Sequence, residues 1–210
     1  MKAGKRIVSM IHNENIVGNT YDKYTTRNPV ARYLMRNFLD SVTSLYNEIK
    51  PTSVLEIGCG EGRLIQHLVS NATVKPESIM ASDVSLEHLS NNLDSKIKFF
   101  EGSIYELPFE NGQYDLVVCC EVMEHLEKPA NGLAEISRIA NKAVLLSTPW
   151  EPIWRIMNLM RGKYLTNLGN TPGHIQHFSR SGLVEFAQTQ LDVISTRTPL
   201  PWTIILGKPR

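Results

Sequence analysis

The chain has 210 residues, of which 42% are hydrophobic and 20% charged, the composition of a globular protein able to bury a sizeable core. A formal net charge of +1 removes any global attraction to nucleic acid or an anionic membrane and leaves only local patches to consider. The apolar stretch near the N-terminus breaks at His12 and Asn13, too short for the core of a signal peptide, and no stretch reaches the length that spans a bilayer, so the expected location is cytoplasmic.

Residues 1–28 are polar and are expected to cover a surface. From Asn28-Pro29 onward, Val30, Tyr33, Leu34, Phe38, Val42, Leu45 and Ile49 recur at spacings of three and four. That predicts one helical face, opened by Asn28 as cap and Pro29 at the first position and closed by Pro51. The pattern then alternates. "SVLEIG" predicts a buried strand, residues 62–70 a helix, "SIMASD" a second strand and residues 85–93 another helix. "IKFFEG" and the unbroken apolar run "YDLVVCC" predict two more strands, followed by a helix over 129–140 and a fifth strand in "AVLLSTP".

Adjacent Cys119 and Cys120 fall in that apolar run, where alternating side chains point to opposite faces. With Cys59 they read as buried thiols in a reducing compartment, and no metal-type cysteine spacing occurs.

Strands alternating with helices imply a doubly wound, mostly parallel sheet. The end of the chain departs from this. "SRSGLVEFAQTQ" predicts a helix, and "LDVISTR" and "WTIILG" predict strands joined only by "TPLP". So short a link makes them an antiparallel hairpin, because a parallel crossover needs a dozen or more residues. The expected class is α/β, a Rossmann-like seven-stranded sheet with an antiparallel C-terminal hairpin. One domain over 1–210 is expected, with a cover over 1–50 and a lid-like insertion over about 149–178. That insertion is far longer than the usual two to six residues, which marks it as functional.

The chemistry begins at "VLEIGCGEGRL", Val54 to Leu64. A strand, a glycine loop and a helix aim backbone N–H groups and a helix N-terminus at one spot. Gly58, Gly60 and Gly62 give G-x-G-x-G; Arg63 stands where a dinucleotide fingerprint has its third glycine, and no Gly-Lys-Ser/Thr follows. Asp83 ends the second strand 21 residues after Gly62, placed to accept hydrogen bonds from both hydroxyls of a ribose. A plain turn and a helix-capping Asp are the structural alternatives, the second weakened because Ser85 could cap the following helix.

Together with "SDVS", "FFEGSIYELPFENGQYDLVVCCEVMEHLEKP" and "LLSTP", the loop resembles the class I S-adenosylmethionine-dependent methyltransferases of the small-molecule, type 11-like group over about residues 50–150. The resemblance implies S-adenosylmethionine as cofactor, with Glu56, Gly58, Cys59 and Gly60 at its methionine end. It implies Asp83 and Val84 at the ribose, Ser103 and Ile104 at the adenine, and Glu121 as a further cofactor contact at the cofactor's edge. Many relatives carry Gly-Asp-Ala where this chain has Gly102-Ser103-Ile104, which shifts the adenine contact to Ser103.

Methyl transfer from a sulfonium is a direct displacement that chiefly needs alignment, and a hydroxyl acceptor must also lose its proton. In "CEVMEHLEKP", Glu121, Glu124 and His125 fall together, and His125 is the first candidate base. The alternative is a helix start whose acids favour the positive dipole end. His174 and His177 in "NTPGHIQHF" are further catalytic candidates. Glu-x-x-Glu-His with a later His also resembles the metal site of RNA 3′-end 2′-O-methyltransferases, and its first part resembles the ubiquinone-pathway O-methyltransferases. By that resemblance Glu121, Glu124, His125 and one of the later histidines could hold a divalent ion; the residues alone assign no metal.

Within the insertion, Trp150, Ile153, Trp154, Met157, Met160 and Tyr164 recur at helical spacing beside Arg155, Arg161 and Lys163. A lid over a lipophilic acceptor, an interfacial helix on anionic lipid, and a simple cover for the sheet all fit. "YDKYTTRNPVARYLM" with "RGKYLTNLGNTPGHIQHFS" is similar to a bacterial and archaeal subgroup of these methyltransferases, and Tyr21, Tyr24 and Arg27 could touch cofactor or simply pack. The expected function is methyl transfer to a small-molecule acceptor, at oxygen, without DNA. An RNA-end methyltransferase is opposed by the near-zero charge and the lack of a basic stripe. A non-catalytic cofactor-binding subunit is opposed by the intact motifs.

Overall fold

The computed structural model describes residues 26–210. Tyr21, Tyr24 and the first half of the expected N-terminal cover lie outside the described residues. Helix α1, Pro29–Ile49, begins where the Asn28 side chain accepts the N–H groups of Val30 and Ala31, and ends at Lys50 in the left-handed conformation. It buries Met35, Phe38, Val42, Leu45 and Tyr46. Val30 and Tyr33, expected to face inward, are 62% and 65% exposed, whereas their neighbours Ala31 and Leu34 line a cavity.

Seven strands form one sheet: β1 Ser53–Ile57, β2 Ser78–Asp83, β3 Ile97–Glu101, β4 Tyr114–Cys120, β5 Ala140–Pro149, β6 Leu191–Arg197 and β7 Trp202–Pro209. Their order is β3-β2-β1-β4-β5-β7-β6. The first five run parallel, and β7 inserts antiparallel between β5 and β6 as the short link requires. Helices α2, Arg63–Asn71, and α3, Pro129–Ile139, follow β1 and β4, and α5, Arg180–Ala187, precedes β6.

Each face of the sheet has its own core. One contains Phe38, Leu45, Leu68 and Cys120; the other contains Leu133, Ile136, Leu183 and Cys119. The adjacent cysteines thus do point to opposite faces, and every residue of β4 is buried. Burial pushes all three thiols up from their ordinary range.

One expected helix does not form. Residues 85–93 run as turns, with the Ser85 hydroxyl accepting the Glu87 N–H, Ser90 N–H donating to the Glu61 carbonyl, and Gln66 Oε1 accepting the N–H of Asp94. Short polar side chains divert the backbone from the helical ladder. Leu86 and Leu89 still pack on the core, which is why the spacing looks helical.

Strand order reverses between β1 and β4, so the carboxyl ends of these strands open into the crevice where doubly wound sheets bind ligands. Helix α4, Glu151–Met160, and the loop to α5 close that end. Among the described residues no helix is long and apolar enough to cross a membrane.

Candidate active site

A cavity of about 350 Å³ lies outside the ends of β1, β2 and β4. Its floor is the glycine loop. The N–H groups of Gly58 and Cys59 both donate to the Ser82 carbonyl at 2.7 and 3.0 Å, which stitches the loop to the end of β2. Gly58 has φ +74°, and a Cβ there would meet Val122 Cγ2 at 2.2 Å. At Gly60, φ +51°, a Cβ would meet nothing within 4 Å; the backbone is bare toward the cavity.

Two carboxylates flank the floor. Asp83 accepts the Gly60 N–H through Oδ2 and the Val84 N–H through Oδ1, each at 2.7 Å. It therefore braces the loop as well as facing the cavity, and no helix follows for it to cap. Glu56 is 3% exposed and accepts the Ile65 N–H at 3.1 Å. Burial pushes its carboxyl up to about 8, the Ile65 N–H pulls against that, and the charge of Asp83 adds to it.

Cys59, Val84 and Ile104 line the cavity as expected. Ser103 does not. Its exposed hydroxyl accepts the Tyr105 N–H at 3.2 Å to shape a turn, leaving Gly102 and Ile104 at the wall. Glu121 lines the cavity at φ +61°, a strained conformation for a side chain with a Cβ, held where Trp202 Nε1–H donates to Oε2 at 2.8 Å and the Ser147 hydroxyl to Oε1 at 3.4 Å.

Beyond Glu121 a 3₁₀ turn, Met123–His125, brings Glu124 and His125 to the wall of the same cavity. The loop from the insertion is fastened onto this turn. Ile175 and Gln176 N–H donate to the Glu124 carbonyl at 2.9 and 3.0 Å, and His125 Nδ1–H donates to the Gly173 carbonyl at 2.9 Å. His174 consequently lies edge-to-face with His125, ring centroids 4.8 Å apart. A carboxylate oxygen of Glu124 and one ring nitrogen of each histidine fall within 4.8 Å of one another.

Two residues expected near this cluster are elsewhere. His177 is exposed, outside the cavity wall, and hydrogen-bonded to Asn170 at 3.0 Å, because the extended loop turns alternate side chains outward after Gln176. Glu121 is drawn aside by Trp202, so it is absent from the Glu124–His125–His174 group.

The insertion contributes α4, whose buried residues are Glu151 and Asn158. Trp154 and Met157 line the cavity, whereas Met160, expected on the same apolar stripe, is 83% exposed. Trp154 Nε1–H donates to the Thr171 hydroxyl at 2.8 Å, Asn158 Nδ2–H to the Gly169 carbonyl at 2.9 Å, and Glu151 accepts from His174 at 2.7 Å. Sequence reasoning missed Glu151, Asn158 and Trp202. Their partners lie 11 to 81 residues away, and only the short spacing Glu151–Trp154–Asn158, one helical face, signals an inward polar side.

Residues 55–146 match the family model described as "Methyltransferase domain". Over 123 residues, 57% of this chain and 49% of the relative, the sequence is 28% identical to a ubiquinone biosynthesis O-methyltransferase of Rickettsia bellii. Over 98 residues, 44% of this chain and 34% of the relative, it is 28% identical to ajmaline N-methyltransferase of Rauvolfia serpentina. The chain thus spans half or less of the length of these relatives. The fold is that of magnesium protoporphyrin IX methyltransferase from Synechocystis PCC 6803, solved with S-adenosylhomocysteine, at TM-score 0.63 and 16% identity over 88% of this chain and 89% of that one. Residues 55–146 thus match a methyltransferase domain, and the seven-stranded sheet built around them has the fold of S-adenosylmethionine-dependent methyltransferases.

Proposed function

We propose that the protein transfers the methyl group of S-adenosylmethionine to a hydroxyl of a small, largely apolar acceptor. The observation that carries this reading is one cavity lined by two chemically distinct groups: the bare backbone at Gly60 with Glu56 and Asp83, and His125 with His174. The first group is assigned to a donor end, where the methionine ammonium would meet Glu56 and the ribose hydroxyls Asp83, and the second to an acceptor end. The acceptor would lie against Phe38, Trp154 and Trp202, a run of rings with centroids 4.8 and 5.9 Å apart that continues to His174.

In the transfer, an acceptor oxygen attacks the methyl carbon in line with sulfur. The C–S bond breaks, its electron pair stays on sulfur as a neutral thioether, and the hydroxyl proton passes to an imidazole nitrogen. Two histidines side by side favour oxygen over amine acceptors, which need less help in losing a proton.

The Glu124–His125–His174 group also supports a second reading, in which these three hold a divalent cation. One oxygen and two imidazoles suit several such ions, and the bound cation would acidify the acceptor hydroxyl. Stoichiometric zinc or manganese binding that disappears in His174→Ala would favour it; no binding at millimolar metal would remove it.

The primary test is calorimetric titration with S-adenosylmethionine, S-adenosylhomocysteine and NAD, followed by transfer of labelled methyl to phenols, quinols, alcohols and amines. Micromolar binding of the first two without NAD, and label on a hydroxyl acceptor, is the expected result. Failure to bind either sulfur compound overturns the reading.

A further inference from the structure

Helix α4 reverses the usual arrangement of a surface helix. Its buried residues are a carboxylate and a carboxamide, Glu151 at 3% exposure and Asn158 at 1%. Its aliphatic Ile156 and Met160 are 50% and 83% exposed. Glu151, Trp154 and Asn158 share one face, and each grips a different point of the segment 169–174. Asn158 and Trp154 bind its backbone and Thr171, so two of the three contacts already fix its path. The third joins two side chains, and it ends on an imidazole that faces the cavity.

Burying a carboxylate is costly unless it is paired. Glu151 stands in the first turn of α4, where the helix dipole offsets part of that cost. Its Oε1 lies 2.7 Å from His174 Nδ1, and Oε2 has no hydrogen-bond partner among the described residues. A carboxylate can only accept, so Nδ1 carries the proton of this bond. The ring is further constrained by His125 on one side and by Trp154, stacked at 21° with centroids 6.3 Å apart, on the other.

We propose that Glu151 is a positioning residue: it fixes the His174 imidazole with its proton on Nδ1, leaving Nε2 as the nitrogen that acts on the acceptor. What Nε2 does rests on the methyl-transfer reading. The orientation of the ring does not. When Nε2 takes the acceptor proton, the resulting imidazolium keeps its Nδ1–H on Glu151, whose negative charge stabilises it, the division of labour of a carboxylate–imidazole pair. If Nε2 holds a cation instead, the same bond sets the tautomer and ring orientation of the ligand.

The test reads the tautomer directly. In the full chain labelled with ¹⁵N, at pH 8, long-range ¹H–¹⁵N correlations report which nitrogen of each histidine bears hydrogen, and His174→Gln identifies the signals of interest. The wild type is expected to show His174 protonated on Nδ1 alone. Glu151→Gln keeps an accepting oxygen and is expected to retain that pattern, whereas Glu151→Ala is expected to drift toward the Nε2–H form that free imidazole prefers. With an acceptor in hand, Glu151→Ala should lower kcat about 10- to 100-fold at unchanged cofactor affinity, with partial recovery in Glu151→Gln.

A proton on Nε2 in the wild type, whether alone or with one on Nδ1, overturns the proposal, and so does an Nδ1–H pattern that survives Glu151→Ala. Where Glu151→Ala does not fold, the wild-type spectrum decides by itself. Calorimetry with S-adenosylhomocysteine on the same samples separates the two questions. Loss of binding in the wild type would sink the methyl-transfer reading and leave the tautomer result standing.

Discussion

The proposed donor and acceptor ends of the cavity are built by different means. The donor end is a matter of backbone: Gly58, Cys59 and Gly60, in the loop after β1, are held by the Ser82 carbonyl and the Asp83 carboxylate at the end of β2. The acceptor end is a matter of side chains brought from far apart: His125 meets Gly173, Glu151 meets His174, and Glu121 meets Trp202. A backbone cradle leaves a spacing in the sequence, because glycine adopts its positive-φ conformations without the strain that a Cβ brings. An assembly of distant side chains leaves residue types but no spacing.

That contrast predicts separable phenotypes. The largest effect should fall at the acceptor end. His125→Ala or His174→Ala should cut turnover about 10²- to 10⁴-fold while calorimetry finds cofactor affinity within two-fold of wild type. His177→Ala, on the exposed side of the loop, should leave both unchanged; if it matches the other two, the assignment of the ends fails. At the donor end, Gly58→Ala forces a Cβ against Val122 at positive φ. It should lower stability by about 2 kcal/mol or more and cofactor affinity at least tenfold, read by denaturant titration and calorimetry.

Asp83→Ala should be milder, weakening the cofactor about 10- to 100-fold through lost hydrogen bonds to a charged group, with the acceptor end intact. The smallest effect concerns pH. The Glu56 carboxyl, raised from 4.5 to about 8, favours the protonated folded state. Its contribution to stability is therefore fully present below pH 4.5 and lost as pH rises through about 8. Without cofactor, the thermal midpoint should fall by a few degrees across that window, and Glu56→Gln should flatten the fall.

The sheet was legible in the sequence almost throughout, down to the antiparallel hairpin that the four-residue link "TPLP" demands. Glu56, Gly58, Gly60 and Asp83 were legible for the same reason, since each sits at a strand end whose position the hydrophobic pattern marks. The helix over 85–93 was misread because Leu86 and Leu89 mimic a helical stripe while Ser85 and its polar neighbours engage the backbone. Ser103 was placed at the adenine by analogy with an acid that can reach further; here its hydroxyl closes a turn. The insertion was recognisable by length, and its amphipathic stripe held in part: Trp154, Met157 and Tyr164 line the cavity, and Met160 faces outward. Hydrophobicity located Trp154 and Met157 and concealed Glu151 and Asn158, whose burial is explained only by partners that the chain supplies later.

His174, Glu151 and Trp202 all come from the chain beyond residue 146, outside the stretch that the family model matches. A match over residues 55–146 therefore covers the glycine loop, Asp83 and His125 but none of the residues that complete the wall around His174. Two chains can share that match in full and still differ in what the remaining wall of the cavity admits.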